Sequence, residues 1–376
     1  MSKSAAGIIF STSNNSTDSR LTRERTSAAI PFACRYRLVD FCLSNLVNAN
    51  ISNINVVVNS NHRSLIEHIG SGKDWDLARR DGGIRVITPY QTANSLTPRI
   101  FQGRMDALKS MKDYIDEYKE EYVILMDTDI VFNINLSELI KTHDSSGADI
   151  TFVTKKQMNE QKKKNERMVI SSKNGKIHNI VMSSNCNSDK TELSLNMFIL
   201  KCSRLKAIIE EAEAYKLTSL TTYFIKNLQN ENYMTYVYDG FAAELSDFED
   251  YYSYSMELIN NKSSRDSLLW KKDLPIFTKV NNSYPTVHTK YAEVKNSMIA
   301  DECVIEGTVI NSVLFRGVKV GRNAVIKNSV LFHGTEIKAN AEVNCIVTDK
   351  NVVISEGVNL SGSDSIPFYI PKNKKV

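Results

Sequence analysis

Short apolar, β-branched runs alternate with amphipathic segments along the first half of the chain. The runs predict five strands, at Ala6–Phe10, Ile54–Asn59, Ile84–Thr88, Tyr122–Met126 and Ile150–Thr154. The segments between them have helical spacing and predict helices at Asp40–Asn48, His62–Ile69, Arg104–Tyr118 and Leu136–His143. This alternation is typical of a parallel sheet covered by helices. Such a sheet binds ligands beyond the carboxyl ends of its strands, so the residues after Phe10 and Met126 are expected to face one crevice.

The pattern then becomes richer in strands. Predicted strands at Met168–Ser171, Lys176–Met182 and Leu193–Leu200 precede helices near Ser203–Tyr215 and Ser219–Leu228. We interpret residues 155–230 as an insertion that closes over the crevice of a domain spanning residues 1–260. Its lysine-rich start, Lys155–Lys164, is interpreted as a solvated loop. A polar segment with two prolines, residues 261–292, is predicted to be a linker.

Beyond the linker, apolar residues recur every six positions. They are Ile299, Ile305, Val320, Ile326, Phe332, Ile337, Val343, Ile354 and Leu360. A step of six matches neither a helix nor a simple strand, but it fits a solenoid in which each short strand forms one side of a triangular coil. Residues 293–376 are therefore predicted to form a left-handed parallel β-helix. Glycines suit its tight corners, at Gly307, Gly317, Gly321, Gly334 and Gly357.

Composition excludes several classes of protein. The 376 residues are 42% hydrophobic and 24% charged, which is ordinary for a globular protein, and the net charge of +4 argues against a dedicated nucleic-acid or membrane binder. The six cysteines form no C-x-x-C pair, so neither a zinc site nor a disulfide framework is indicated. No apolar run is long enough to span a membrane, and we expect a cytoplasmic protein.

The loop after the first predicted strand lacks glycine. Residues Ser11–Arg20 carry hydroxyl and amide side chains where a backbone that approaches a triphosphate needs glycine and a nearby cation. Ser11 and Arg20 are therefore assigned to a vestigial substrate cleft. The pattern indicates a nucleotide-handling fold that has lost part of its chemistry.

The stretch from Arg25 to Ile51 resembles the N-terminal signature of bacterial ADP-glucose pyrophosphorylases, the glucose-1-phosphate adenylyltransferases. The matching residues are Pro31, Phe32, Tyr36, Arg37, Asp40, Phe41, Leu43, Ser44, Asn45, Asn48 and Ile51. The resemblance implies a nucleotidyltransferase domain with a GT-A-like, Rossmann-like mixed sheet, followed by a left-handed β-helix. It also implies the bacterial glycogen pathway, in which ATP and glucose 1-phosphate yield ADP-glucose and pyrophosphate with Mg²⁺.

Three positions depart from the family pattern. The lysine of R-A-K-P falls on Ser27, the lysine of F-V-E-K-P on Ser183, and the magnesium aspartate of G-D-H on Thr128. Nucleotidyl transfer depends on positioning and on charge stabilisation, so these losses imply a degenerate active site. Asp127, Asp129 and Glu244, the last at the family's second metal aspartate, are weak candidates for metal ligands.

Two further segments align with the substrate cleft. Residues 103–107 read Gly103-Arg-Met-Asp-Ala107 and resemble the family's G-T-A-D-A, which makes Asp106 either a cleft residue or a plain acid at a helix N-terminus. The family's S-x-G turn becomes Ser194-Leu-Asn196. Gly103, Asp106 and Asn196 are therefore included in the vestigial cleft.

Five arginines lie within eighteen residues, at Arg20, Arg23, Arg25, Arg35 and Arg37. In the family this segment contributes to effector binding near the β-helix, and arginine forks bind phosphates bidentately. Arg25, Arg35 and Arg37 are predicted to bind a phosphorylated metabolite, with simple solvated arginines as the open alternative.

Together these features predict a noncatalytic or weakly catalytic regulatory subunit of the GlgD type; they predict no firm cofactor for this chain, and Mg²⁺ is the metal of the family reaction. Its expected partner is a catalytic paralogue, in a heterotetramer. Two alternatives remain open. One is an active sugar-1-phosphate nucleotidyltransferase with a divergent phosphate loop, and the other is a hexapeptide-repeat acyltransferase that would use His333.

Overall fold

A nine-stranded mixed sheet forms the centre of the N-terminal domain. The computed structural model describes residues 3–11, 19–79, 82–89, 100–156, 166–184 and 191–376. The strands of this domain are β1 Ala5–Ser11, β2 Pro31–Phe32, β3 Tyr36–Arg37, β4 Asn53–Val58, β5 Gly83–Ile87, β6 Tyr122–Asp127, β7 Ile130–Phe132, β8 Ile150–Lys156, β9 Arg167–Lys173, β10 Lys176–Ser183, β11 Thr191–Lys201, β12 Tyr233–Val237 and β13 Ala242–Glu244. The sheet order is β5-β4-β1-β6-β11-β8-β12-β10-β9, with β2–β3 and β7–β13 as separate pairs.

Helices cover both faces of this sheet. They are α1 Ser19–Thr22, α2 Leu38–Asn48, α3 Arg63–Ile69, α4 Arg104–Ser110, α5 Lys112–Asp116, α6 Leu136–Ser146, α7 Cys202–Ala214, α8 Leu220–Asn227, α9 Phe248–Asn260 and α10 Lys262–Leu269. Successive residues of β1 point to opposite faces, so Ile8 and Ile9 belong to different apolar clusters. This double burial explains why the parallel strands read as continuous apolar runs. The single helix predicted at 104–118 is two helices, because the helix is interrupted at Met111.

The strands of the predicted insertion, residues 155–230, join the main sheet. Strands β9, β10 and β11 belong to the main sheet, and β11 lies between β6 and β8, antiparallel to both. The order of the elements along the chain does not show which strands pair. The sequence pattern therefore did not reveal that β11 lies at the centre of the sheet. Most of the Lys155–Lys164 segment lies outside the described residues.

The predicted linker also contains regular structure. Helix α10 occupies Lys262–Leu269, and the Asn261 side chain caps it by accepting hydrogen bonds from the backbone N–H groups of Ser263 and Ser264. Leu268 and Leu269 of this helix are buried. Its exposed face is polar, which explains why the sequence pattern did not reveal this helix.

The C-terminal domain is a parallel β-helix, as predicted. Its strands are β14 Val287–His288, β15 Glu293–Lys295, β16 Met298–Ile299, β17 Val304–Ile305, β18 Thr308–Ile310, β19 Val313–Leu314, β20 Lys319–Val320, β21 Val325–Lys327, β22 Val330–Leu331, β23 Glu336–Ile337, β24 Glu342–Asn344, β25 Ile346–Thr348, β26 Val353–Ile354, β27 Asn359–Ser361 and β28 Phe368–Ile370. They form three parallel five-stranded sheets, the arrangement expected of a left-handed β-helix with one strand per side in each coil. Several corners use asparagine instead of glycine, as at Asn311 (φ 47°) and Asn328 (φ 46°).

An apolar cluster joins the two domains. Tyr251 of α9 packs edge-on against Phe332, which lies 5.2 Å from the Phe315 ring between centroids. Phe332 therefore belongs to this interface, whereas the inner residues of the coil include Ile305 and Ile326. Among the described residues, no helix is long and apolar enough to cross a membrane.

Candidate functional site

A cluster of hydroxyl groups lies at the carboxyl ends of β1 and β6. Ser11 ends β1, and its Oγ contacts Ser27 Oγ at 3.0 Å and also contacts Thr26 Oγ1. Ser27 Oγ in turn lies 3.3 Å from Thr128 Oγ1, and the backbone N–H of Ala28 donates to Ser11 Oγ at 3.0 Å. All these side chains are buried. Two positions predicted to be degenerate, Ser27 and Thr128, thus meet in a neutral network whose polar groups satisfy each other.

The rest of the predicted phosphate loop, residues 12–18, lies outside the described residues. Arg20 lies just beyond these residues, in α1, and its side chain contacts two residues of α9. Its guanidinium donates to Glu249 of α9 at 3.0 Å and lies 4.2 Å from the centroid of the Phe248 ring. The Arg20 charge is therefore at least partly balanced within the protein.

Two buried carboxyl groups flank Thr128. Asp127 ends β6 and lies 3.5 Å from Nη1 of Arg104, measured at Oδ2, while its Oδ1 is buried with no hydrogen-bond partner among the described residues. Burial raises the pKa of Asp127, and the Arg104 charge opposes that shift. Burial and then the neighbouring Asp127 carboxylate raise the pKa of Asp129 to about 7. This environment therefore disfavours the ionisation of both acids at the same time.

Glu244 is held beside these acids by a short pair of strands. Strand β13 pairs with β7, and the backbone N–H of Leu245 donates to the Asp129 carbonyl at 2.8 Å. Glu244 Oε2 lies 3.3 Å from Nη1 of Arg167, and Glu244 Oε1 accepts a hydrogen bond from Ser246 at 3.2 Å. Both carboxylate oxygens of Glu244 are therefore occupied within the protein.

Magnesium does not fit this set of residues. Mg²⁺ requires near-octahedral oxygen ligands at close range. Within the described ranges, no group of three or more His, Cys, Asp or Glu side chains is arranged to hold a metal ion. Arg104 stands beside Asp127 and Arg167 beside Glu244, so guanidinium groups lie where a cation would bind these carboxylates.

The side of the cleft predicted to face the sugar phosphate opens into a cavity of about 700 Å³. Its walls include Lys155, Arg167, Ser194, Phe241, Glu244 and Tyr254. Asn196 lies within a β-bulge of β11, adopts a left-handed backbone conformation (φ 50°), and donates its backbone N–H to Ser194 Oγ at 3.1 Å. Asparagine tolerates this conformation better than most other non-glycine residues, so it suits the position where the S-x-G motif has glycine.

Ser183 ends β10 and is the cross-strand partner of Arg167 in β9. A cation is therefore present next to the position of the missing lysine, on the neighbouring strand. Sequence reasoning missed Arg167 and Arg104, because neither belongs to a recognisable charge pattern.

Asp106 behaves as a helix N-terminal acid. Gly103 precedes α4, and Asp106 Oδ2 in its first turn accepts the backbone N–H of Gln102 at 2.9 Å. This contact supports the structural alternative for Asp106. No described contact links the Asp106 side chain to the other cleft residues.

The three predicted effector arginines have two kinds of environment. Arg25 is 2% exposed and forms a buried ion pair with Asp349 of the β-helix at 2.5 Å. Arg37 donates to Ser64, and burial lowers its pKa to about 10. Arg35 and Arg37 line a cavity of about 290 Å³ between the domains.

This interdomain cavity is strongly basic. Besides Arg35 and Arg37, its lining includes Lys279, Arg316, His333 and Lys350. Burial, followed by the charges of Arg37 and Arg25, lowers the pKa of Lys350 to about 8. The sequence did not assign Lys279, Arg316, His333 or Lys350 to an anion site, because they are distant from the arginine cluster along the chain.

Both domains match known protein families. Residues 19–181 match the nucleotidyl transferase family, and residues 284–365 match the GlmU-like C-terminal hexapeptide family. The chain is 33% identical over 367 residues to the glycogen biosynthesis protein GlgD of Bacillus subtilis strain 168, covering 97% of this chain and 95% of that protein. It is 30% identical to a glucose-1-phosphate adenylyltransferase of Clostridium botulinum strain Alaska E43, over 82% of this chain and 79% of the relative. A glucose-1-phosphate adenylyltransferase of Geobacillus stearothermophilus is 27% identical, over 87% and 84% of the two chains.

Proposed function

This chain belongs to the family of glucose-1-phosphate adenylyltransferases and GlgD proteins, and we propose that it is a noncatalytic or weakly catalytic regulatory subunit in bacterial glycogen biosynthesis. In this proposal a catalytic paralogue joins ATP and glucose 1-phosphate to form ADP-glucose and pyrophosphate. The present chain assembles with that paralogue in a hetero-oligomer and biases it toward its active state.

One observation carries the proposal. The carboxylates of Asp127 and Glu244, which would bind magnesium, are instead paired with Arg104 and Arg167. Serine replaces the two lysines expected at positions 27 and 183. Each preorganised charge that stabilises a transition state is commonly worth a factor of about 10²–10³ in rate, so a chain lacking several of them is a poor catalyst.

A regulatory role also requires a place for an effector. The basic interdomain cavity offers Arg35, Arg37, Arg316 and Lys279 to an anion, and it lies between the domain that carries the cleft and the β-helix. A phosphorylated metabolite bound there would contact both domains at once. Its binding energy could therefore favour one relative arrangement of the domains over another.

Mixing the chain with a catalytic glucose-1-phosphate adenylyltransferase from the same organism tests the proposal. Pyrophosphate release is expected to rise, saturating at a fixed ratio of the two chains, and to change its response to phosphorylated metabolites. The Glu244→Gln variant should stimulate as well as the wild type, because the chemistry takes place in the other subunit. An unchanged rate and an unchanged effector response would contradict the proposal. A stimulation that disappears with Glu244→Gln would instead favour an active nucleotidyltransferase.

A further inference from the structure

We propose that Arg104 and Arg167 act as built-in cations that replace the divalent metal ion and keep it out of the cleft. The inference deepens the proposed function. It concerns the cleft of this chain alone and is tested without a catalytic partner. A result against the inference can therefore be distinguished from a result against the proposed function.

The first step is the geometry of the two ion pairs. Arg104 Nη1 lies 3.5 Å from Asp127 Oδ2, and Arg167 Nη1 lies 3.3 Å from Glu244 Oε2. The pairing of β7 with β13 brings Glu244 next to the segment that follows Asp127, so the two ion pairs belong to neighbouring segments of the cleft. Two guanidinium groups carry the same charge as one divalent cation, and arginine does not lose its proton at physiological pH.

The second step is the cost of exchange. The Asp127 side chain is 5% exposed and that of Arg167 is 9% exposed. A metal ion that bound these carboxylates would leave Arg167 buried, and Arg104 (21% exposed) partly buried, without counter-charges, which is unfavourable. Mg²⁺ also gives up its hydration water reluctantly. The two arginine side chains are therefore expected to outcompete the metal ion for these carboxylates.

The third step is the limited bonding of Arg167. Its Nε and Nη2 atoms are buried without a hydrogen-bond partner among the described residues, which leaves Nη1 to contact Glu244. Arginine has five N–H donors, and a buried donor without a partner is unfavourable, whereas the contact that Arg167 Nη1 does make is to the Glu244 carboxylate. The placement of Arg167 is therefore better explained by its charge next to Glu244.

The fourth step is the position of both residues in the sequence. Arg104 stands where the family motif G-T-A-D-A has threonine. Arg167 is the cross-strand partner of Ser183, the position of the lost lysine. Directly opposed residues on neighbouring strands have Cβ atoms about 5 Å apart. A positive charge is thus present near the cleft, but it is bound to the carboxylate of Glu244.

Titration of the full-length chain with Mn²⁺, followed by the electron paramagnetic resonance signal of the free ion, tests the inference. The wild type and Glu244→Gln should bind equally little metal. The double variant Arg104→Thr with Arg167→Ala should gain one site at least about tenfold tighter than the wild type, and adding Glu244→Gln should abolish it. Arg167→Lys is the matched control, because it keeps the charge and should not create a site.

Thermal unfolding gives a second measurement on the same variants. Mn²⁺ should raise the unfolding temperature of the double variant and leave that of the wild type unchanged, since a ligand stabilises the state that binds it. A wild-type site that disappears with Glu244→Gln would overturn the inference. A double variant that folds and binds no more Mn²⁺ than the wild type would also overturn it. If the double variant does not fold, the comparison of the wild type with Glu244→Gln decides.

Discussion

The buried ion pair between Arg25 and Asp349 is predicted to couple the stability of the two domains. Arg25 follows α1, beside the hydroxyl cluster of the cleft, and Asp349 lies in the β-helix; both side chains are 2% exposed. Asp349 also accepts hydrogen bonds from Tyr369 Oη at 2.9 Å and from the backbone N–H of Lys350 at 2.6 Å. Removing either charge leaves the other one buried and unpaired.

The expected magnitude follows from this burial. Breaking a buried ion pair by removing one partner costs about 3–5 kcal/mol, whereas replacing both partners by neutral groups of similar size is often close to neutral. Arg25→Met and Asp349→Asn keep most of the side-chain volume. Each is therefore expected to lower the free energy of unfolding by about 3 kcal/mol. The double variant should lose less than the sum of the two.

Urea-induced unfolding, followed by tryptophan fluorescence, measures these free energies. Urea is uncharged, so it does not screen the ion pair as a salt denaturant would. Arg63→Met is a suitable control, because Arg63 forms an exposed pair with Glu67 and such pairs contribute little. Single-variant losses under about 1 kcal/mol, or strictly additive losses in the double variant, would refute the reasoning.

Three further predictions concern the cleft and the basic cavity. Asn196→Ala should lower the free energy of unfolding by about 1 kcal/mol in urea because of the left-handed backbone (φ 50°), while Asn196→Gly should change it little; equal losses would contradict this. Because the pKa of Asp129 is raised to about 7 in the folded state, stability should fall as pH rises from about 4 to 7. Asp129→Asn should flatten that slope in urea titrations at several pH values, and an unchanged slope would count against it. The pKa of Lys350 is lowered to about 8, so this lysine loses its charge as pH rises from 7 to 9. An anion binds better when the lysine is charged, so the affinity for sulfate, measured by calorimetry, should fall over this pH range. Lys350→Met should remove that dependence, and a flat wild-type profile would contradict the prediction.

The sequence was most informative where a repeat or a motif is local. The six-residue spacing of residues such as Ile305 and Ile326 predicts the β-helix because each coil repeats the same side-chain environment. The strand order of the N-terminal sheet was not predictable, because the position of β11 between β6 and β8 depends on pairings between distant segments.

In the candidate site, too, local motifs marked some residues, whereas others are brought into the site only by the fold. The contact between Ser27 and Thr128 joins two positions that the family motifs had already marked. Arg104 and Arg167 carry no signal of their own, because an isolated arginine is ordinary and its partner is set by the fold. The same holds for Lys279, Arg316 and Lys350, which reach the basic cavity from separate parts of the chain.

The central claim is that the cleft of this chain transfers nucleotides weakly or not at all. Its most direct test is pyrophosphate release by the purified chain alone, supplied with ATP, glucose 1-phosphate and Mg²⁺, with Glu244→Gln as the control for contaminating enzyme. The account predicts rates at or close to background for both proteins. Turnover by the wild type at about 1 s⁻¹ or faster that Glu244→Gln abolishes would contradict it.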